Sequence, residues 1–191
     1  MSLILASASP RRKELLSLFH IPFEIRVADI DETMDPTLPP AAEVARVSKL
    51  KAMAISCEQD DVIVAADTIV VCQGRVLGKP HTEAEAVAML NLLSGRDHQV
   101  MTGMTVLHGE QARTVTEVTD LHFRSLSQKE IARYVATGEP MDKAGAYGIQ
   151  GGAALFCTHM VGDYYNVMGL PVCRLGQLLR EIAPVLMGDM L

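Results

Sequence analysis

The segment Ser7-Ala8-Ser9-Pro10-Arg11-Arg12-Lys13 puts three cations immediately after a helix-start signal. Ser9 suits the N-cap and Pro10 the first helical position. The macrodipole is positive at that end, so each cation there is disfavoured by about 0.3–1 kcal/mol when nothing is bound. A phosphate on the free N–H groups reverses the sign, and the Ser7 and Ser9 hydroxyls add donors beside it. The chemistry implied is a phosphate cradle following a strand. The alternative is solvated surface cations next to an ordinary cap. The segment is not a Walker loop, because GxxxxGK[ST] does not occur.

Three further positions carry charge where it is costly or useful. Asp67 lies inside the apolar run Val62-Ile63-Val64-Ala65-Ala66-Asp67-Thr68-Ile69-Val70-Val71. A carboxylate there needs a cation partner or a metal, unless it sits at a bulge or strand end and caps local amides. Lys51 falls on the face shared by Val44, Val47, Ala54 and Ile55 at 100° per residue, so it either snorkels to solvent or meets an anion. Asp29, Asp31 and Glu32 cluster after a strand-like stretch, which suits a hard divalent cation or plain solvation. Lys79 stands between Gly78 and Pro80 at a turn. Together, cations (Arg11, Arg12, Lys51, Lys79) and carboxylates (Glu32, Asp67) at element ends make a toolkit for a metal-bound polyphosphate.

The elements that must position these groups follow from local patterning. Leu3 to Ala6 reads as a short buried strand, and Leu15, Leu16, Leu18 and Phe19 give the first helix its apolar stripe. Phe23 to Ala28 reads as a strand, followed by a Pro-rich loop and a helix from about Ala41 to Cys57. Val62 to Val71 reads as a strand interrupted once in polarity by Asp67-Thr68, turning at Gln73-Gly74 into a partner. Thr82 with Glu85 and Ser127 with Glu130 have capping-box spacing, for helices stopping at Gly95 and Gly138. Two longer strands lie between them, roughly 98–107 and 113–123. Residues 138–152 hold five of the fourteen glycines and form a loop that approaches something closely. A hairpin from Ala154 through Gly162-Asp163 to Met168 is predicted, then a helix from Pro171 carrying Leu175, Leu178, Leu179 and Ile182. Helices and strands interleave but the middle strands are consecutive, so the fold class is α/β with a mixed sheet.

The bulk properties restrict the function further. The 191 residues predict one domain over 1–191, with 49% hydrophobic and 21% charged residues. No apolar run nears a membrane span, and no basic flank marks a signal peptide. Cys57, Cys72, Cys157 and Cys173 form no CxxC pair, which argues against zinc and a disulfide framework and for a reducing, cytoplasmic setting; Cys157 and Cys173 read as core residues. The histidines lack HExxH spacing. A net charge of −6 argues against nucleic-acid binding but permits a small anion at a local cation cluster.

The blocks SASPRRKELL, IDET, AADTIVV, GKP, DKAGAYGIQG and MGLP resemble the Maf family of nucleoside triphosphate pyrophosphatases, in the family's order over nearly the whole chain. The resemblance implies a twisted central sheet flanked by helices, related to the inosine triphosphate pyrophosphatases, in a cytoplasmic homodimer. It implies a divalent metal (Mg²⁺ or Mn²⁺) and hydrolysis of a nucleoside triphosphate to monophosphate and pyrophosphate. By the same resemblance Asp67 is the general base, Glu32 a metal partner with Asp67, and Lys51 and Lys79 catalytic cations. Ser7 and Arg12 match the family's phosphate-binding helix start, beside which the cradle reading adds Ser9, while Arg11, Thr68 and Gln150 read the base. The branch acting on 7-methyl-GTP tends to carry Trp, Gln and Glu at those last three positions, so this chain resembles the dTTP/UTP branch. The competing reading is a nucleotide-binding regulator of cell division without turnover.

Overall fold

The computed structural model describes residues 1–188. In chain order it has β1 (Leu3–Leu5), α1 (Pro10–Ser17), β2 (Phe23–Ile25), α2 (Pro40–Met53), β3 (Val62–Cys72), β4 (Arg75–Leu77), α3 (Glu83–Leu93), β5 (Asp97–His108), β6 (Gln111–Phe123) and α4 (Gln128–Val135). Short 3-10 turns then lead to β7 (Cys157–Val161), α5 (Tyr164–Met168), α6 (Val172–Ile182) and α7 (Pro184–Met187). The seven strands form one sheet in the order β2-β1-β3-β5-β6-β7, with β4 paired to β3. It is mixed as expected: β1 runs parallel to β2 and β3, whereas β4 is antiparallel to β3 and β7 to β6.

Contacts divide the chain into two compact units. The first comprises Met1–Asp67, Thr102–Glu117 and the chain from Gly169 onward. Here β1 is bonded on both edges and wholly buried, which is why Leu3-Ile4-Leu5 is continuously apolar. Ile4, Ala6, Ile63 and Ala65 pack with Ala52 of α2 and the following Ile55. Helix α2 lies directly on the sheet at Gly103, where any Cβ would collide with the Val44 carbonyl and the Ala45 nitrogen. Two hydroxyl contacts fix it further: Ser48 Oγ lies 2.9 Å from Thr105 Oγ1, and Thr116 Oγ1 donates to the Ala41 carbonyl at 2.9 Å. Leu175, Leu178, Leu179 and Ile182 form the buried face of α6.

The second unit comprises Thr68–Met101 and Val118–Met168. Gln73 and Gly74 both take positive φ (51° and 73°), the primed turn that fits a two-residue hairpin between β3 and β4. At α4 the capping box is complete, and Arg124 with Ser127 holds the Glu130 carboxyl down to about 2. At α3 it is half made: Thr82 accepts from the Glu85 nitrogen, but the Glu85 carboxylate takes the His81 N–H at 2.8 Å instead of the cap. Phe123 and Tyr147 form the middle of an edge-to-face aromatic core with His98 and Phe156.

Four expectations are corrected. The strand at Phe23 stops at Ile25 instead of Ala28, because its partner β1 ends at Leu5, whose carbonyl takes the last bond from Arg26. Helix α2 ends at Met53, not Cys57, and Ile55 turns into the core outside helical geometry. The hairpin over 154–168 does not form: β7 pairs with β6, and the Asp163 carboxylate accepts the Tyr165 N–H at 2.7 Å, starting α5. Cys173 is exposed and Cys157 only half-buried. Cys173 lies two residues before Leu175, hence about 200° around the helix from the apolar face.

Candidate active site

Three of the expected residues converge within the first unit. Lys51, in the last turn of α2, points its Nζ at Asp67 Oδ1 (2.8 Å) and at Glu32 Oε2 (2.8 Å). The Lys51 and Asp67 side chains are 12% and 18% exposed, and Glu32 is 55% exposed, so the ammonium lies inside with one acid and reaches outward to the other. This decides both open questions. Lys51 does not snorkel, and Asp67 is not a strand-end cap, since β3 runs unbroken on both sides of it. Nor is Asp67 an unpaired buried charge: its partner is the lysine one face of α2 delivers.

Glu32 sits in irregular chain between β2 and α2, and a clasp that the sequence reading missed holds that chain. The Glu43 side chain, 1% exposed, binds Arg46 through both oxygens at 2.6 and 2.8 Å and accepts the Asp35 N–H at 3.0 Å. Arg46 in turn donates to the Thr33 carbonyl at 3.0 Å. Arg46 keeps the Glu43 carboxyl below its usual range against the opposing effect of burial. In sequence, Glu43 and Arg46 are an ordinary i,i+3 helix pair, and nothing there announces burial. Asp31 turns back to the Thr33 N–H at 2.8 Å, and Asp29 is exposed.

The start of α1 resolves its three cations differently. Ser9 caps the helix, its Oγ at 3.5 Å from the Arg12 nitrogen, and Ser7 Oγ accepts from the Ser9 N–H at 3.2 Å. Arg12 folds inward: its Nε donates to the Gly169 carbonyl at 2.8 Å and its Nη1 to Ser7 Oγ at 3.3 Å. Desolvation lowers its pKa, while the charges of Asp67 and Glu32 act the other way, which places the guanidinium within their field. Arg11 is half-buried and repels Arg12, and Lys13 is exposed, as the solvated-cation alternative expects of it. Arg12 thus shares the field of Asp67 and Glu32, with Ser7 and Ser9 bonded beside it at the start of α1. Gly169 belongs to MGLP and takes a φ of 106°, a region glycine enters without strain, and its carbonyl is the one Arg12 uses.

The remaining expected residues lie in the second unit. Thr68 is half-buried in β3. Lys79 is exposed just after β4 and has no ion-pair partner among the described residues. The Gly145 N–H donates to the Gly78 carbonyl beside it at 3.0 Å. Gln150 is exposed on the turn before the last 3-10 segment.

Relatives of this chain carry one name repeatedly. It is 49% identical over 183 residues to the dTTP/UTP pyrophosphatase of Alkaliphilus metalliredigens, covering 94% of this chain and 95% of that protein. It is 47% identical to the protein of that name from Bacillus cytotoxicus, over 93% and 94% of the two chains. Among solved structures, the nucleoside-triphosphatase (dITP/XTP pyrophosphatase) of Mycobacterium abscessus aligns with a TM-score of 0.42 at 12% identity, over 66% of this chain and 76% of that one. A likeness that low carries no argument. Among the described residues no helix is long and apolar enough to cross a membrane. Residues 2–182 match the family described as Maf-like protein, and the chain belongs to that family.

Proposed function

We propose that this protein hydrolyses dTTP and UTP to the nucleoside monophosphate and pyrophosphate, a house-cleaning activity on the nucleotide pool. The observation that carries the reading is the Lys51 ammonium shared by Asp67 and Glu32, each at 2.8 Å, with Arg12 in their field. The names of the relatives support the same substrates. In this mechanism Asp67 takes the proton of a water whose oxygen bonds to the α-phosphorus as the bond to the bridging oxygen breaks. Arg12, Lys51 and Lys79 stabilise the charge that collects on the departing pyrophosphate. Ser7, Ser9 and the first turn of α1 bind phosphate oxygens.

A divalent cation fits this donor set. Two hard carboxylates, Glu32 and Asp67, converge on one point, each 2.8 Å from the Lys51 nitrogen. That suits Mg²⁺ or Mn²⁺, which bind through one or two carboxylates and complete their shell with water and substrate phosphate. When bound, the ion would screen phosphate charge and polarise the phosphoryl oxygens. Arg11, Thr68 and Gln150 read the base. The Gln150 amide makes no hydrogen bond to the described residues and offers both a donor and an acceptor, matching O4 and N3–H of uracil or thymine. The active form proposed is a cytoplasmic homodimer, with residues 1–191 acting as one Maf domain.

The experiment is a product and substrate analysis with Mg²⁺ or Mn²⁺. Pyrophosphate plus monophosphate should appear, with dTTP and UTP used well and 7-methyl-GTP poorly. Inorganic phosphate plus a diphosphate would contradict the mechanism. Preference for 7-methyl-GTP would overturn the substrate reading alone, and binding without turnover would favour the regulator.

A further inference from the structure

Gln150 lies on a turn, outside any helix or strand, so its aim depends on what holds the turn. Both feet of that turn end on one pair of side chains. The Gly148 N–H donates to Tyr134 Oη at 3.0 Å, and the Gly152 N–H donates to Glu139 Oε2 at 3.1 Å. Tyr134 Oη donates to Glu139 Oε1 at 2.9 Å, which joins the two holds into one clamp. The turn closes on itself through the Gly151 N–H to the Gly148 carbonyl at 3.0 Å.

The clamp is itself fixed. Tyr134 is buried on α4 and stacks edge-to-face on Phe156 at 5.2 Å. Burial pushes its phenol pKa well up, so it remains a proton donor. Lys143 Nζ donates to the Glu139 carbonyl at 2.7 Å, and Thr137 Oγ1 accepts the Glu139 N–H at 3.2 Å. The glycines explain the fit. A Cβ at Gly151 would strike the Glu139 carboxylate, and one at Gly148 would strike the Lys143 side chain. The close approach expected of this glycine-rich loop is thus made, at Gly148 and Gly151, to the clamp inside the protein.

We propose that Tyr134 and Glu139 are specificity-determining positioning residues: they fix the turn that aims the Gln150 amide, and through it set discrimination between nucleobases. This rests on the reading that Gln150 faces the base. The hydrogen bonds of Tyr134 and Glu139 run to each other and to Gly148, Gly152, Thr137 and Lys143, so loosening the clamp affects base recognition and leaves the chemical step.

The test uses Tyr134→Phe and Glu139→Ala, with Gln150→Ala beside them, in full-length protein. For dTTP, KM should rise roughly tenfold in both clamp variants while kcat stays within about twofold, and 7-methyl-GTP kcat/KM should barely move. Amide exchange at Gly148 and Gly152 should accelerate in both, with melting still cooperative. Tyr134→Phe keeps the buried ring, so it remains informative where Glu139→Ala folds poorly. Loss of discrimination in Gln150→Ala but not in the clamp variants overturns this inference alone. Discrimination that survives Gln150→Ala removes the base-reading role and the inference with it. Unchanged exchange at Gly148 and Gly152 in Tyr134→Phe would show that no clamp exists.

Discussion

Lys51 has two acids and one nitrogen, and the balance among them sets what its substitution does. Asp67→Asn removes the proposed base but leaves Lys51 its Glu32 partner. Turnover should fall at least about 10²-fold. An unpaired carboxylate would make this change stabilising, but Asp67 is paired and largely buried, so stability should fall by about 1–3 kcal/mol, limited by the Glu32 partner that Lys51 keeps. Lys51→Met is harsher on the fold: it leaves Glu32 and Asp67 facing each other without their shared cation. Both turnover and melting temperature should drop at neutral pH, more steeply for melting than in Asp67→Asn. Steady-state kinetics and calorimetry on the two variants check this, and equal melting losses would show that the shared ion pair is not formed.

At the scale of elements, the position of α2 governs the site, because Lys51 rides on its last turn and Glu43 and Arg46 hold the Glu32 chain. Gly103 is what lets α2 touch the sheet. Gly103→Ala adds a Cβ against the Val44 backbone, so helix or strand must shift. The expected cost is about 1–3 kcal/mol, the range for overpacking, with a disproportionate loss of kcat because Lys51 moves relative to Asp67. Thermal melts and kinetics of this variant, with Gly103→Ser as a second case, measure both. Unaltered kcat in a destabilised Gly103→Ala protein would disconnect the helix position from the chemistry. Ser9, Pro10, Ser127 and Glu130 were legible because caps and turns are encoded within four residues. So was Lys51, since helical spacing put it on the apolar face. The Glu43–Arg46 clasp was not legible because nothing in an i,i+3 pair announces that it will be buried against the preceding loop, and the Gly103 contact was not because it depends on a helix distant in sequence. Tyr164-Tyr165 looked like strand, and a single Asp163 hydrogen bond outweighed that propensity.

At the scale of the whole molecule, His98 makes stability depend on pH in a window of its own. It is 3% exposed, and burial lowers its pKa from 6.5 to about 4, with Nε2 at 2.9 Å from Tyr147 Oη. The unfolded chain therefore binds the extra proton between pH 6.5 and 4, and folding stability falls as pH drops through that range. The loss reaches about 3 kcal/mol by pH 4. Carboxyls with lowered pKa, such as Glu43 and Asp61, contribute in the same direction only lower down, since their stabilisation is complete above the unfolded carboxylate range. Denaturant unfolding should show the decline already between pH 6.5 and 5. His98→Gln, which cannot titrate there, should flatten it, and an equally steep profile in that variant would assign the slope elsewhere.

The central claim is that water, deprotonated by Asp67, attacks the α-phosphorus. Hydrolysis of dTTP in ¹⁸O-labelled water, with mass analysis of both products, tests it directly. The mechanism predicts one labelled oxygen in dTMP and none in pyrophosphate. Label in the pyrophosphate would mean attack at the β-phosphorus and would contradict the placement of the base, whatever the rate.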